Sequence, residues 1–198
     1  MQSNRNLGAL IGSRICHDMI SPVGAIANGL ELLTLTGVPS GPEMDLITGS
    51  AAQANARIKY FRLAFGLACD AQFMSAGEIT GILSDIYKGA IDLEWHVDTP
   101  LARPIAQATV LGLMCAEQAV PHGGTLHVSG TPASLKIQAT GTRLNPNADH
   151  WALLDAALHT PPDIPAAQVQ FALLPEILRD LGRPPQVALN ADAVTLRF

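Results

Sequence analysis

The sequence predicts an α+β protein: a long helical hairpin at the N-terminus, followed by a two-layer α/β sandwich. Three observations carry this. Apolar residues recur at helical spacing over two stretches before residue 70, and a run rich in Gly and Pro separates those stretches. After Asp70 the pattern changes to shorter helical segments alternating with strand segments, the signature of helices layered on one mixed sheet. The chain therefore divides into a hairpin over 1–71 and an α/β domain over 72–198.

The first helix is expected from about Ser3 to Thr36, with Leu7, Ile11, Ile15, Met19, Ile26, Leu30 and Leu33 on one stripe. Gly37-Val38-Pro39-Ser40-Gly41-Pro42 cannot continue a helix. A second helix follows from about Glu43 to Ala68, with Ile47, Ala51, Ala54, Ile58, Phe61 and Phe65 as its apolar stripe and Phe61 in the core. At 1.5 Å per residue the pair makes a rod about 40–50 Å long. One hairpin buries only one seam, so a homodimer closing a four-helix bundle through residues of about 3–70 is expected. Pro22 lies inside the first helix, where its missing N–H and its ring should kink the chain.

Beyond the hairpin, helices are expected at Ser75–Tyr87, Ile105–Val120, Asp149–Leu158 and Ala166–Leu181. Strands are expected at Ile91–Val97, Thr125–Ser129, Leu135–Ala139, Val187–Asn190 and Ala193–Arg197.

Composition narrows the class. Of 198 residues, 48% are apolar and 15% charged, which favours a folded core over disorder. A net charge of -5 gives no electrostatic footprint for nucleic acid. Cys16, Cys69 and Cys115 are odd in number and widely spaced, so no disulfide framework is expected. Arg14, His17 and Asp18 interrupt the N-terminal apolar stretch, leaving neither a membrane span nor a signal peptide. A soluble, cytoplasmic protein with no membrane partner is expected. His122 and His127 could suggest a metal site, but their sequence neighbours supply no ligand cluster, and they read as ordinary turn and strand residues.

The most informative string is Ser13-Arg14-Ile15-Cys16-His17-Asp18-Met19-Ile20-Ser21-Pro22. At 100° per residue His17 points roughly 160° away from the centre of the apolar stripe, on the side shared by Arg14, Ser21, Gly24 and Asn28. An imidazole there is exposed and nucleophilic at neutral pH, because an unperturbed histidine is largely uncharged. Gly24 and Ala25 leave room for a docking partner. Folding the hairpin near residue 39 brings residue 61 level with residue 17, both about 22 residues from the turn. Arg62 then lies either near a phosphoryl group on His17 or in solvent.

His17-Asp18-x-x-Ser21-Pro22 resembles the H-box of bacterial two-component histidine kinases, in which the histidine accepts a phosphoryl group. Val110 to Leu126 is similar to the helix, turn and strand carrying the N-box of the kinase ATP-binding domain. There the two asparagine positions, of which the second helps hold Mg²⁺ in that family, hold Leu111 and Cys115, neither of them a hard oxygen ligand. In Ala139-Thr140-Gly141-Thr142-Arg143, Ala139 stands at the adenine-reading aspartate and Arg143 at the second glycine. Ala166-Ala167-Gln168-Val169-Gln170 lacks the glycines of a phosphate loop. A kinase-like hairpin with a degenerate kinase-like second domain resembles the ChpT-type bacterial histidine phosphotransferases. Asn28-Gly29-Leu30-Glu31-Leu32-Leu33 and Phe61-Arg62-x-Ala64-Phe65-Gly66 extend the likeness.

That resemblance implies a homodimer passing a phosphoryl group between His17 and aspartates on response-regulator receiver domains, including that of a hybrid histidine kinase. Asp18 is implied as the polarising neighbour; it orients the ring, accepts its proton, or is a solvated helix acid. Arg14, Ser21, Gly24 and Arg62 are the expected partner-binding residues. No nucleotide or metal is expected on this chain, with Mg²⁺ supplied by the receiver. The alternative is a non-catalytic dimeric scaffold that docks receiver domains. An ATP-dependent kinase fits poorly without its nucleotide boxes, and a phosphatase role would rest on Ser21 positioning water.

Overall fold

The computed structural model describes residues 2–36, 41–69, 71–154 and 165–198; before Met19 only the backbone is described, Gly8 and Gly12 apart. The chain separates into two compact units, Met1–Leu67 and Ala68–Phe198.

In the first unit, α1 (Gln2–Leu35) and α2 (Pro42–Phe65) pack against each other as a hairpin. α1 continues without interruption through Pro22. Most of the expected breaker, residues 37–40, lies outside the described residues. α2 opens with Pro42, whose fixed φ suits a first turn and whose missing N–H would find no intrahelical partner there. Glu43 and Asp45 add negative charge at the helix N-terminus, and Arg62 adds positive charge in the last turn, both in the sense the helix dipole favours.

Of the expected stripe on α2, Ala51 is buried and Ala54, Ile58 and Phe65 are half-buried, but Ile47 and Phe61 are exposed, and the main buried side is another one. Ala56, Tyr60, Leu63 and Ala64 are buried, whereas Ile47 is 50% exposed and Phe61 38%. At 100° per residue the two sets lie roughly 155° apart around the helix. Phe61 is therefore not a core residue of the single chain. α2 has two apolar sides, and periodicity selected the outward one.

The second unit holds a five-stranded sheet in the order β2-β4-β5-β7-β6. β2 (Ile91–His96) runs parallel to β4 (Gly124–Thr131). β5 (Ser134–Thr140), β7 (Ala193–Arg197) and β6 (Gln186–Leu189) continue antiparallel. α4 (Arg103–Glu117) packs on β5 and β7 and is covered in turn by α6 (Val169–Asp180), while α3 (Ala76–Ile86) lies against β2. Alternation explains the layering. Leu126, Val128, Leu135, Ile137, Ala139, Val194 and Leu196 are buried, while Asp92, Glu94 and His96 project from the opposite face.

Two two-residue strands, β1 (Phe73–Met74) and β3 (Leu101–Ala102), pair antiparallel and had no sequence signal, being too short for any periodicity. α4 starts two residues before the expected Ile105, because Pro104 suits a first turn. It also stops short of the expected Val120: Gln118, Ala119 and Val120 instead make i→i−3 bonds to Cys115, Ala116 and Glu117. α5 (Ala148–Ala152) is capped by Asn147, whose side chain accepts from the N–H groups of Asp149 and His150. The expected continuation of this helix to Leu158 lies largely outside the described residues. The last long helix begins with a 3-10 turn, Ala166–Gln168, before α6 proper.

Candidate functional site

α1 positions the residues of the H-box-like string. Arg14, His17, Ser21 and Gly24 follow one another at spacings of three, four and three, so their Cα atoms share one face of an unbroken helix. The side chains of Arg14, His17 and Asp18 lie outside the described residues. Ser21 is exposed, and Gly24 is half-buried with open space where a Cβ would stand. A Cβ on Gly12 would stand 3.6 Å from the Phe65 carbonyl oxygen, which fixes the register of the hairpin. Stepping five residues along each antiparallel helix puts the backbone of His17 level with that of Tyr60, about one residue from the expected partner. Arg62, exposed in the last turn of α2, is within two residues of that level.

The positions compared with the kinase nucleotide boxes are filled by core. Leu111, Cys115 and Ala139 are fully buried. Gly112 lets α4 approach the sheet, because a Cβ there would collide with Ile137 and crowd Leu196. Burial, with a smaller contribution from Glu117, pushes the Cys115 thiol well above its ordinary range and keeps it protonated. A protonated, solvent-free thiol offers no ligand to a hard cation.

Comparison with known proteins shows the family to which the chain belongs. The family described as "Histidine phosphotransferase C-terminal domain" matches residues 76–193. Protein phosphotransferase ChpT of Brucella abortus (strain 2308) is 35% identical over 201 residues, covering 98% of this chain and 94% of that protein. The chain belongs to the histidine phosphotransferase family. A solved bacterial phosphotransferase superposes with a TM-score of 0.68 at 27% identity, covering 96% of this phosphotransferase and 94% of the other. Among the described residues, no helix is long and apolar enough to cross a membrane.

One cluster in this phosphotransferase escaped the sequence. His127 does have acidic and imidazole neighbours: Glu94 Oε2 stands 2.9 Å from His127 Nδ1 and 3.4 Å from His96 Nε2. The three come together because β2 pairs parallel with β4, setting Glu94 directly beside His127 across 33 residues of chain. Only the pairing register could have revealed this.

Proposed function

We propose that this phosphotransferase works in a two-component phosphorelay, passing a phosphoryl group between His17 and receiver-domain aspartates of response regulators. Family membership supports the class of reaction, and the observation that carries the assignment of His17 is its place on one face of α1 with Arg14, Ser21 and Gly24. An imidazole nitrogen of His17 attacks phosphorus as the aspartyl P–O bond breaks, and the aspartate leaves as a carboxylate. Little covalent chemistry is asked of the protein, so positioning and charge stabilisation supply the rate. Asp18 orients the ring or takes its proton. Arg14 and Arg62 add positive charge for the phosphoryl oxygens, and Ser21 and Gly24 give the receiver a close approach. Mg²⁺ belongs to the receiver in this reading; the transfer uses no metal or nucleotide held by this chain.

The same reading makes residues 1–71 the dimerisation domain, as half of a four-helix bundle. Met19, Ile26 and Leu33 on α1, and Ile47 and Phe61 on α2, are 38–54% exposed in the single chain. Large apolar side chains at helical spacing on both helices are what a second hairpin would cover. The second unit, over 72–198, is a degenerate ATP-binding fold that enlarges the docking surface and performs no ATP-dependent phosphorylation.

The test is direct. Incubation with a phosphorylated receiver domain should leave acid-labile, base-stable phosphate on the wild-type chain and none on His17→Gln. Circular dichroism and sedimentation of the variant should be unchanged. Phosphate retained by His17→Gln would reassign the acceptor.

A further inference from the structure

We propose that Glu94, His96 and His127 form a binding site for a divalent transition metal of the Zn²⁺ class on the outer face of the C-terminal sheet. The three donor atoms lie within 4.8 Å of one another. Zn²⁺ bonds to imidazole nitrogen and carboxylate oxygen at about 2.0–2.2 Å, and donors around a tetrahedral ion then stand about 3.3 Å apart. The observed separations from Glu94 Oε2, 2.9 Å to His127 Nδ1 and 3.4 Å to His96 Nε2, bracket that value. Small rotamer shifts on an exposed surface would complete the arrangement.

The backbone imposes the convergence. Glu94 and His96 are two apart on β2 and so share a face; Glu94 and His127 are directly paired in the parallel ladder. His127 is oriented from behind. Its Nε2 stands 3.4 Å from Thr140 Oγ1, whose hydroxyl is in turn 3.5 Å from the Thr125 carbonyl it donates to. Without a metal, the 2.9 Å contact is a hydrogen bond from Nδ1–H to Glu94; a metal would take the place of that proton, with Thr140 beside Nε2 to hold the ring. Two imidazoles converging on one carboxylate oxygen are a borderline-soft donor set suited to Zn²⁺, whereas Mg²⁺ and Ca²⁺ select oxygen-only shells. Asp92 lies on the same face and adds negative charge. Solvent beside the exposed Glu94 and His96 can fill the fourth position.

The site would tie β2, the edge strand of the five-stranded sheet, to β4. It rests on the C-terminal unit alone and is independent of the reading of His17. The full-length chain, stripped with a chelator, should bind one Zn²⁺ in a titration against a chromophoric competitor. Its melting temperature should rise with added Zn²⁺. Co²⁺ in place of Zn²⁺ should give the intense visible bands of a tetrahedral site. His127→Gln and His96→Gln, both at surface positions, should each weaken binding about tenfold or more and abolish the thermal shift. No saturable binding, or binding and thermal shift undiminished in either variant, would overturn the proposal and leave a hydrogen-bonded surface trio.

Discussion

Single residues in the C-terminal unit show how the core excludes chemistry at the positions compared with the nucleotide boxes. Cys115 is the clearest. Burial raises its pKa, so the folded state holds the proton while the unfolded chain releases it near the thiol's ordinary value of 9.0. The folded-state advantage is therefore fully present below that value and is lost as pH rises toward the higher pKa of the folded state. Denaturant midpoints of the wild type should fall more steeply above pH 9.0 than those of Cys115→Ala. At neutral pH, iodoacetamide should modify the exposed Cys69 of the native protein and reach Cys115 only after unfolding. Labelling of native Cys115 at the rate of Cys69 would mean that α4 is not sealed between the sheet and α6.

At the level of elements, the sequence was most legible where one physical cause dominated. Helical periodicity located α1 and α2, and alternation located β2, β4, β5 and β7, to within two or three residues at each end. It failed where the deciding contact was remote or the element short, as for the two-residue strands β1 and β3 and the Glu94–His127 pairing. The H-box-like string was readable because its spacing is local to one helix, whereas the metal-type trio depends on a ladder no local pattern encodes. α2 failed differently. Its two apolar sides compete for the same 3.6-residue signal, and only packing shows that Tyr60 and Leu63 are buried in the single chain while Ile47 and Phe61 are not. That outward side carries a prediction. Ile26, 54% exposed on α1, should lie in the dimer seam, so Ile26→Glu would bury an unpaired carboxylate. Sedimentation should show a dimer for the wild type and a shift toward monomer for the variant, with helix content retained. A wild-type chain that sediments as a monomer at tens of micromolar would remove the bundle from the proposal.

Across the whole molecule, the division of labour proposed is a reactive helix in one unit and a fold without nucleotide chemistry in the other. The second unit should bind no ATP, because three separate requirements of a nucleotide site are lost. A Mg²⁺ site needs hard oxygen ligands, and Leu111 and Cys115 are buried apolar or protonated groups. Base reading needs an acceptor at the end of β5, and Ala139 supplies a methyl group buried in the core. A phosphate cradle needs backbone amides approachable through glycine, and 166–170 contains none. Reopening a pocket beside α4 would also require breaking its contact with α6, where Phe171 and Leu174 are fully buried and Phe171 packs edge-on against Trp151 at 5.7 Å. Exposing one such side chain costs about 1.5–3 kcal/mol, a large share of what a small domain has to spare. Restoring one box by mutation, Cys115→Asn for example, should therefore destabilise the fold without conferring binding, because an amide is buried without its partners. Calorimetry with millimolar ATP and Mg²⁺ should give no saturable heat for the wild type or for Cys115→Asn. Labelled ATP alone should leave His17 unmodified. Saturable binding, or labelling of His17 from ATP without a receiver, would return the second unit to the kinases and make the chain its own phosphoryl donor.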